Sequence, residues 1–185
     1  MDLDIRPADA RDAGVVVALY NHFVAGSIAT FELDPVPEQE MRNRITDVHA
    51  RGLPWLLAWR GDVLSGYAYA GPWRARAGYR QTVESSIYLA PQAIGHGIGR
   101  RLYAALIERL LDCDVHTVIA GIALPNAASV ALHERMGFVQ VAHFREVGSK
   151  FGQRIDVGYW QRWLRQDDSG TPASGMCIDD AIARV

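Results

Sequence analysis

The chain is 185 residues long, 49% hydrophobic and 22% charged, with a formal net charge of −2. That length and mixture suit one globular domain needing neither disulfide nor metal staples, and without a basic surplus there is no electrostatic footprint for nucleic acid. No run approaches the roughly 18 apolar residues of a membrane span, the acidic start Met1-Asp2-Leu3-Asp4 is unlike a secretory leader, and Cys113 and Cys177 lack CxxC spacing, so the expected compartment is the reducing cytoplasm.

Residues 3–6 read as a short strand ended by Pro7. Asp9 or Asp12 is placed to cap a first helix, in which Val15, Val16, Leu19, Tyr20, Phe23 and Val24 recur at helical spacing up to Gly26. A loop over 27–35 carries Phe31. Pro37 suits the first turn of a second helix, marked by Met41, Ile45 and Val48 and stopped by Gly52. Apolar runs at 55–60 and 63–70, separated by Gly61-Asp62, predict a hairpin. A loop rich in Trp and Arg follows at 71–78, then a β-branched strand at 82–90 ended by Pro91. The glycine-rich turn 95–99 leads into a helix with Ile98, Leu102, Leu106 and Leu110 on one stripe. Residues 115–124 form a buried-strand pattern. Pro125-Asn126 opens a short helix that Gly137 caps. Segments 138–147 and 154–163 read as a final hairpin.

The order β-α-α-β-β-β-α-β-α-β-β predicts an α/β (α+β) domain over residues 1–166, with a mixed central sheet of about seven strands and four helices. Residues 167–185, rich at first in Asp, Ser, Gly, Thr, Pro and Ala, read as a C-terminal tail with a short helix near 178–183.

The strongest local signal is the strand–turn–helix segment from Tyr88 through Pro91, Gly95, His96, Gly97, Ile98 and Gly99 to Arg100. Glycines let a bulky anion approach the backbone, and the helix start aims N–H groups and the positive end of the dipole at it. A pyrophosphate suits such a turn. No GxxxxGK[ST] is present, and the GxGxG spacing lacks the rest of the dinucleotide fingerprint.

This segment resembles the Q/R-x-x-G-x-G/A loop of the GNAT superfamily of N-acetyltransferases, with Gly97 and Gly99 as its glycines and Ile94 in place of the leading Gln/Arg. The block from Asn126 through Ser129 and His133 to Gly137-Phe138 is similar to the later N-x-x-[SA]-x-x-x-Y-x-x-x-G-F motif, with His133 in place of Tyr. Four further runs resemble the phosphinothricin and methionine sulfone/sulfoximine acetyltransferase group. They are Tyr20-Asn21-His22, the Tyr69–Arg76 stretch, the Thr82–Leu89 stretch and Leu132-His133-Glu134.

The resemblance implies a GNAT fold and direct transfer of an acetyl group from acetyl-CoA to the α-amino group of a small, anionic, amino-acid-like acceptor. Ile87, Tyr88, Leu89, Gly95, His96, Gly97, Ile98, Gly99, Arg100, Asn126 and Ser129 are then the expected acetyl-CoA contacts. Backbone N–H groups of 87–89 are the candidates for polarising the thioester carbonyl. Glu84 and His133 are the expected catalytic pair. A glutamate inside a β-branched strand invites a functional reading, and either residue can serve as base or acid. The resemblance leaves both assignments open. Phe31, Trp73, Arg74, Ala75, Arg76, Tyr79, Glu84, Ser85 and Ser86 are the expected acceptor contacts, with Arg74 and Arg76 suited to bidentate capture of an anion. No metal is expected, since His22, His49, His116 and His143 lack ligand spacing. A homodimer is the assembly implied, with neither nucleic acid nor membrane as partner. A peptide N-terminal acetyltransferase and a noncatalytic acyl-CoA sensor are the competing readings.

Overall fold

Residues 2–165 are described in a computed structural model of the chain. The strands are β1 (Leu3–Pro7), β2 (Trp55–Arg60), β3 (Val63–Pro72), β4 (Thr82–Leu89), β5 (Thr117–Leu124), β6 (Val139–Lys150) and β7 (Gln153–Trp163). The helices are α1 (Ala13–Gly26), α2 (Glu38–Ala50), α3 (Ile98–Leu111) and α4 (Ala127–Arg135). The sheet runs β1-β2-β3-β4-β5-β7-β6. Every neighbouring pair is antiparallel except β4 and β5. The element order is the one the sequence predicts.

Side-chain alternation divides the interior into two layers. Along β2, Trp55 and Leu57 face one cluster with α1 and α2, while Leu56 and Ala58 face another with α3. Both sets are buried, so β2 reads as an unbroken apolar run. The predicted stripe of α3 is fully committed to the second cluster, with Leu102, Leu106 and Leu110 wholly buried. Val130 and Leu132 of α4, and Met136 just after it, pack against that same cluster. No helix among the described residues is long and apolar enough to cross a membrane.

Several local expectations shift. Asp9 caps a separate 3₁₀ turn, Ala10–Asp12, rather than α1: its side chain accepts the Arg11 N–H, and Asp12 returns the bond from the Asp9 N–H. Gly26 is the last residue of α1, but the chain leaves through extended Ser27. Gly137 adopts the left-handed conformation expected of a cap, at φ 82°. β3 runs on to Pro72, and β6 continues to Lys150 past a register shift between Phe144 and Gly148. The proposed tail and its short helix lie outside the described residues.

Candidate active site

The site begins where a ladder stops. β4 and β5 pair only from Thr82↔Thr117 to Glu84↔Ile119. Beyond that point β4 stays with β3 and β5 stays with β7. Residues 85–89 and 120–124 therefore diverge and leave main-chain groups facing a cleft. Ser85 closes the last gap in the ladder: its hydroxyl donates to the Ile119 carbonyl at 3.3 Å and shares a 2.6 Å hydrogen bond with the Tyr103 hydroxyl. Ser85 is buried on the α3 face with its hydroxyl engaged in these two bonds, and it lines the first of the two cavities described below, not the second.

The cleft has a volume of about 190 Å³. It brings together Ile87, Tyr88, Leu89, Asn126 and Ser129, five of the residues expected to hold the donor, with Ser86, Ile94 and His133. Asn126 caps α4 by accepting the Ser129 N–H at 3.1 Å, which spends its side-chain oxygen on the helix. From Ile94 the chain turns through Gly95 and Gly97, both left-handed at φ 84° and 72°, into α3. A side chain would be strained at either position. The first helical bond here is Arg101 N–H to Gly97 O, so the N–H groups of Ile98, Gly99 and Arg100 lack intrahelical partners. The Ile98 side chain is buried in the core and only its backbone can contribute. His96 lies exposed in the turn.

A second cavity, about 440 Å³, adjoins the first, and Ala29, Gly121 and Ala123 line both. Glu84, Phe31 and Tyr159 face it, with the β6 segment Val147, Gly148 and Ser149 as its far wall. Gly121 packs closely under both side chains: a methyl group there would stand 3.2 Å from Glu84 Oε1 and 3.3 Å from Tyr159 Cε1, so either side chain would have to give slightly. The Glu84 carboxylate is half-buried, and desolvation raises its pKa above the ordinary carboxylate value, with the Arg74 charge opposing part of the rise.

His133 is almost fully buried in T-shaped contact with Tyr103 and Phe138, at centroid distances of 5.0 Å and 5.4 Å. Burial lowers its pKa, so the neutral ring is favoured. Its Nδ1 lies 2.8 Å from the Ser129 carbonyl. A carbonyl only accepts, so the proton sits on Nδ1 and Nε2 keeps its lone pair. His133 lines the first cavity and Glu84 the second, in adjoining spaces rather than as a hydrogen-bonded dyad.

The expected acceptor loop is set further back. Arg74 lies 4.3 Å from the Trp73 ring, and Trp73 meets Tyr159 edge-on at 5.5 Å, so this pair reaches the second cavity through Tyr159. Ala75, Arg76 and Tyr79 are exposed on the loop. Ser86 lines the first cavity, not the second. Sequence reasoning missed Ala29, Gly121 and Tyr159. The glycine at 121, inside an otherwise continuous apolar strand, is the one signal that could have been used.

A family model described as the acetyltransferase (GNAT) family matches residues 14–138. The phosphinothricin N-acetyltransferase of Alcaligenes faecalis is 43% identical over 91% of this chain and 86% of its own. The L-methionine sulfoximine/L-methionine sulfone acetyltransferase of Salmonella typhimurium is 37% identical over 92% of this chain and 98% of its own. Among solved structures, a phosphinothricin acetyltransferase from Sinorhizobium meliloti in complex with acetyl-CoA superposes with a TM-score of 0.87 at 34% identity, covering 97% of both chains. On its motifs, its divergent β4/β5 pair and these matches, the chain belongs to the GNAT acetyltransferase family.

Proposed function

We propose that this chain transfers an acetyl group from acetyl-CoA to the α-amino group of a small amino-acid-like acceptor, of the kind named for its relatives: phosphinothricin, methionine sulfoximine or methionine sulfone. One observation carries the reading. Glu84, a carboxylate whose pKa burial raises, sits where an acceptor-sized cavity adjoins a cleft walled by divergent strands.

The residues present fit acetyl-CoA. Left-handed Gly95 and Gly97 have open space where a Cβ would stand, and three unpaired N–H groups at the start of α3 suit a pyrophosphate. The cleft beyond them is narrow and edged by the backbone of 87–89. Bound there, acetyl-CoA supplies an activated acetyl thioester. The backbone N–H groups of 87–89 would stabilise charge developing on its carbonyl oxygen.

Glu84 takes the proton that the acceptor amine must lose before it can attack. Its raised pKa brings it closer to neutrality, where a general base is most effective. His133, neutral with a free lone pair on Nε2, is suited to accept a proton or orient a water rather than to donate one. Phe31 and Tyr159 give the second cavity apolar walls, and Arg74 brings a positive charge to its edge. The cytoplasm is the compartment that fits this reading. Exposed Val139, Val141 and Phe144 on the outer strand β6 are the surface a homodimer would use.

The test is release of free thiol from acetyl-CoA against phosphinothricin, methionine sulfoximine, methionine sulfone, ordinary amino acids, polyamines and short peptides. Turnover with the first three supports the reading. Turnover only with peptides or polyamines removes the acceptor class, and binding of acetyl-CoA with no turnover removes the enzymatic role.

A further inference from the structure

Lys150 is a charged residue with a relative exposure of only 3% and no acidic hydrogen-bond partner. Its ammonium donates at 2.8 Å to the carbonyls of Ser27 and Thr30, with a longer 3.5 Å approach to that of Phe23. All three oxygens belong to the end of α1 and the loop after it, whereas Lys150 is the last residue of β6. Three donors thus meet carbonyls from the last turn of a helix and its exit, the end where a cation is favoured.

The loop held in this way carries Ala29 and Phe31, which line the second cavity. Its other side is already fixed to the helices. Tyr20 bonds the Thr30 hydroxyl at 2.6 Å, Asn21 bonds both main-chain groups of Val36, and Arg44 pairs with Glu32 at 2.8 Å. Across the cavity, Phe31 lies so close on Gly148 that any side chain at 148 would overlap its ring. Gly148 and Lys150 are two residues apart on one strand, so β6 meets this loop at both its aromatic side chain and its backbone.

Resting on the acetyltransferase reading above, we infer that Lys150 is a positioning residue for the acceptor: it ties the Ala29–Phe31 loop to β6 and so sets the width of the second cavity without touching the acceptor. The donor cleft is built chiefly from β4, β5 and α4 and meets this loop only at Ala29, so loss of the tie falls mainly on the acceptor side. Misplacing a positioning wall by about 1 Å can cost up to about 10²-fold in rate.

The test is steady-state kinetics of Lys150→Met with whichever acceptor the wild-type enzyme turns over, alongside hydrogen exchange of the whole chain. A rise of about tenfold or more in acceptor KM is expected, with acetyl-CoA KM within about twofold, and with faster exchange confined to amides of the loop 27–33. A general loss of structure would instead raise both KM values and exchange throughout the sheet. Lys150→Gln, which keeps an N–H donor but shortens the reach, provides the same readout in a milder form if the Met variant does not fold. An unchanged acceptor KM in a folded variant overturns the inference. A wild-type protein that turns over no amine overturns the acetyltransferase reading instead, and leaves the exchange result to judge whether Lys150 holds the loop.

Discussion

Replacing Glu84 with Gln separates its role in chemistry from its role in the fold. The carboxylate stands over Gly121 in a half-buried position where desolvation raises its pKa. As a positioned base it would contribute about 10²–10⁴-fold to turnover, so kcat for Glu84→Gln should fall by about that factor while acetyl-CoA affinity is kept. Stability should move the other way. A carboxyl group whose folded pKa lies above its unfolded value binds more protons in the folded state, so stability falls as pH rises between those two values and the cost is fully present above them. Gln removes that cost, so thermal unfolding at neutral pH should occur no lower than in wild type. The acidic limb of the wild-type kcat/KM profile should lie above the ordinary carboxylate range and vanish in the variant. A kcat within a few-fold of wild type refutes the base assignment. A marked drop in melting temperature shows that Glu84 is held there by the fold and not despite it.

Other expectations follow from the same geometry. His133 should titrate below its ordinary value, because burial disfavours the imidazolium; an NMR midpoint at or above about 6.5 would contradict the neutral ring. Ser85→Ala leaves the Tyr103 hydroxyl and the Ile119 carbonyl short of a partner and should cost about 1–3 kcal/mol in denaturant unfolding, whereas a contact with the acceptor would have shown as a change in acceptor KM at constant stability. Gly97→Ala places a Cβ at φ 72° and should cost about 1–2 kcal/mol. It should also weaken acetyl-CoA in a titration, and unaltered affinity would argue against the turn as the pyrophosphate site. In the Phe31→Ala background, adding Gly148→Ala should change acceptor KM far less than it does alone, since the ring it displaces is gone; additive effects would refute that contact.

Elements whose period and punctuation were strong could be read from the sequence. The stripe of α3, the Gly61-Asp62 hairpin and the Gly137 cap each rest on a local rule, and each stands in the fold. Much of the first cleft was legible for the same reason: many of its lining residues lie in two contiguous motifs, around 87–100 and 126–133. The second cavity was legible only in part: Phe31 and Glu84, which line it, were expected near the acceptor, while Gly121 and Tyr159 were not, because the four belong to separate segments that only the fold brings together. Ser85 shows the limit most sharply. It adjoins Glu84 in sequence, yet strand alternation turns it to the opposite face. The Tyr20-Asn21 run resembles the phosphinothricin and methionine sulfone/sulfoximine acetyltransferase group, and the fold supplies its physical reason. Its side chains tether the loop carrying Phe31, through Thr30 and Val36.

The divergence of β4 from β5 explains why these roles fall where they do. Two parallel strands that separate in mid-sheet expose backbone donors on both edges, a cost normally avoided in an interior. Here the cost is contained by position. Ser85 satisfies the Ile119 carbonyl at the point of separation, Asn126 caps the helix that follows β5, and β3 and β7 keep the outer edges of the two strands paired. What is left between them is a short stretch of unpaired main chain with a glycine turn at one end and a desolvated carboxylate at the other. A flexible thioester arm could satisfy that stretch by supplying amide and carbonyl groups in the place of a strand, which would make donor binding a completion of the sheet. On that view the acceptor pocket needs no backbone recognition, and its selectivity falls to side chains: Phe31 from the α1–α2 loop and Tyr159 from β7, with Lys150 of β6 holding the loop behind them.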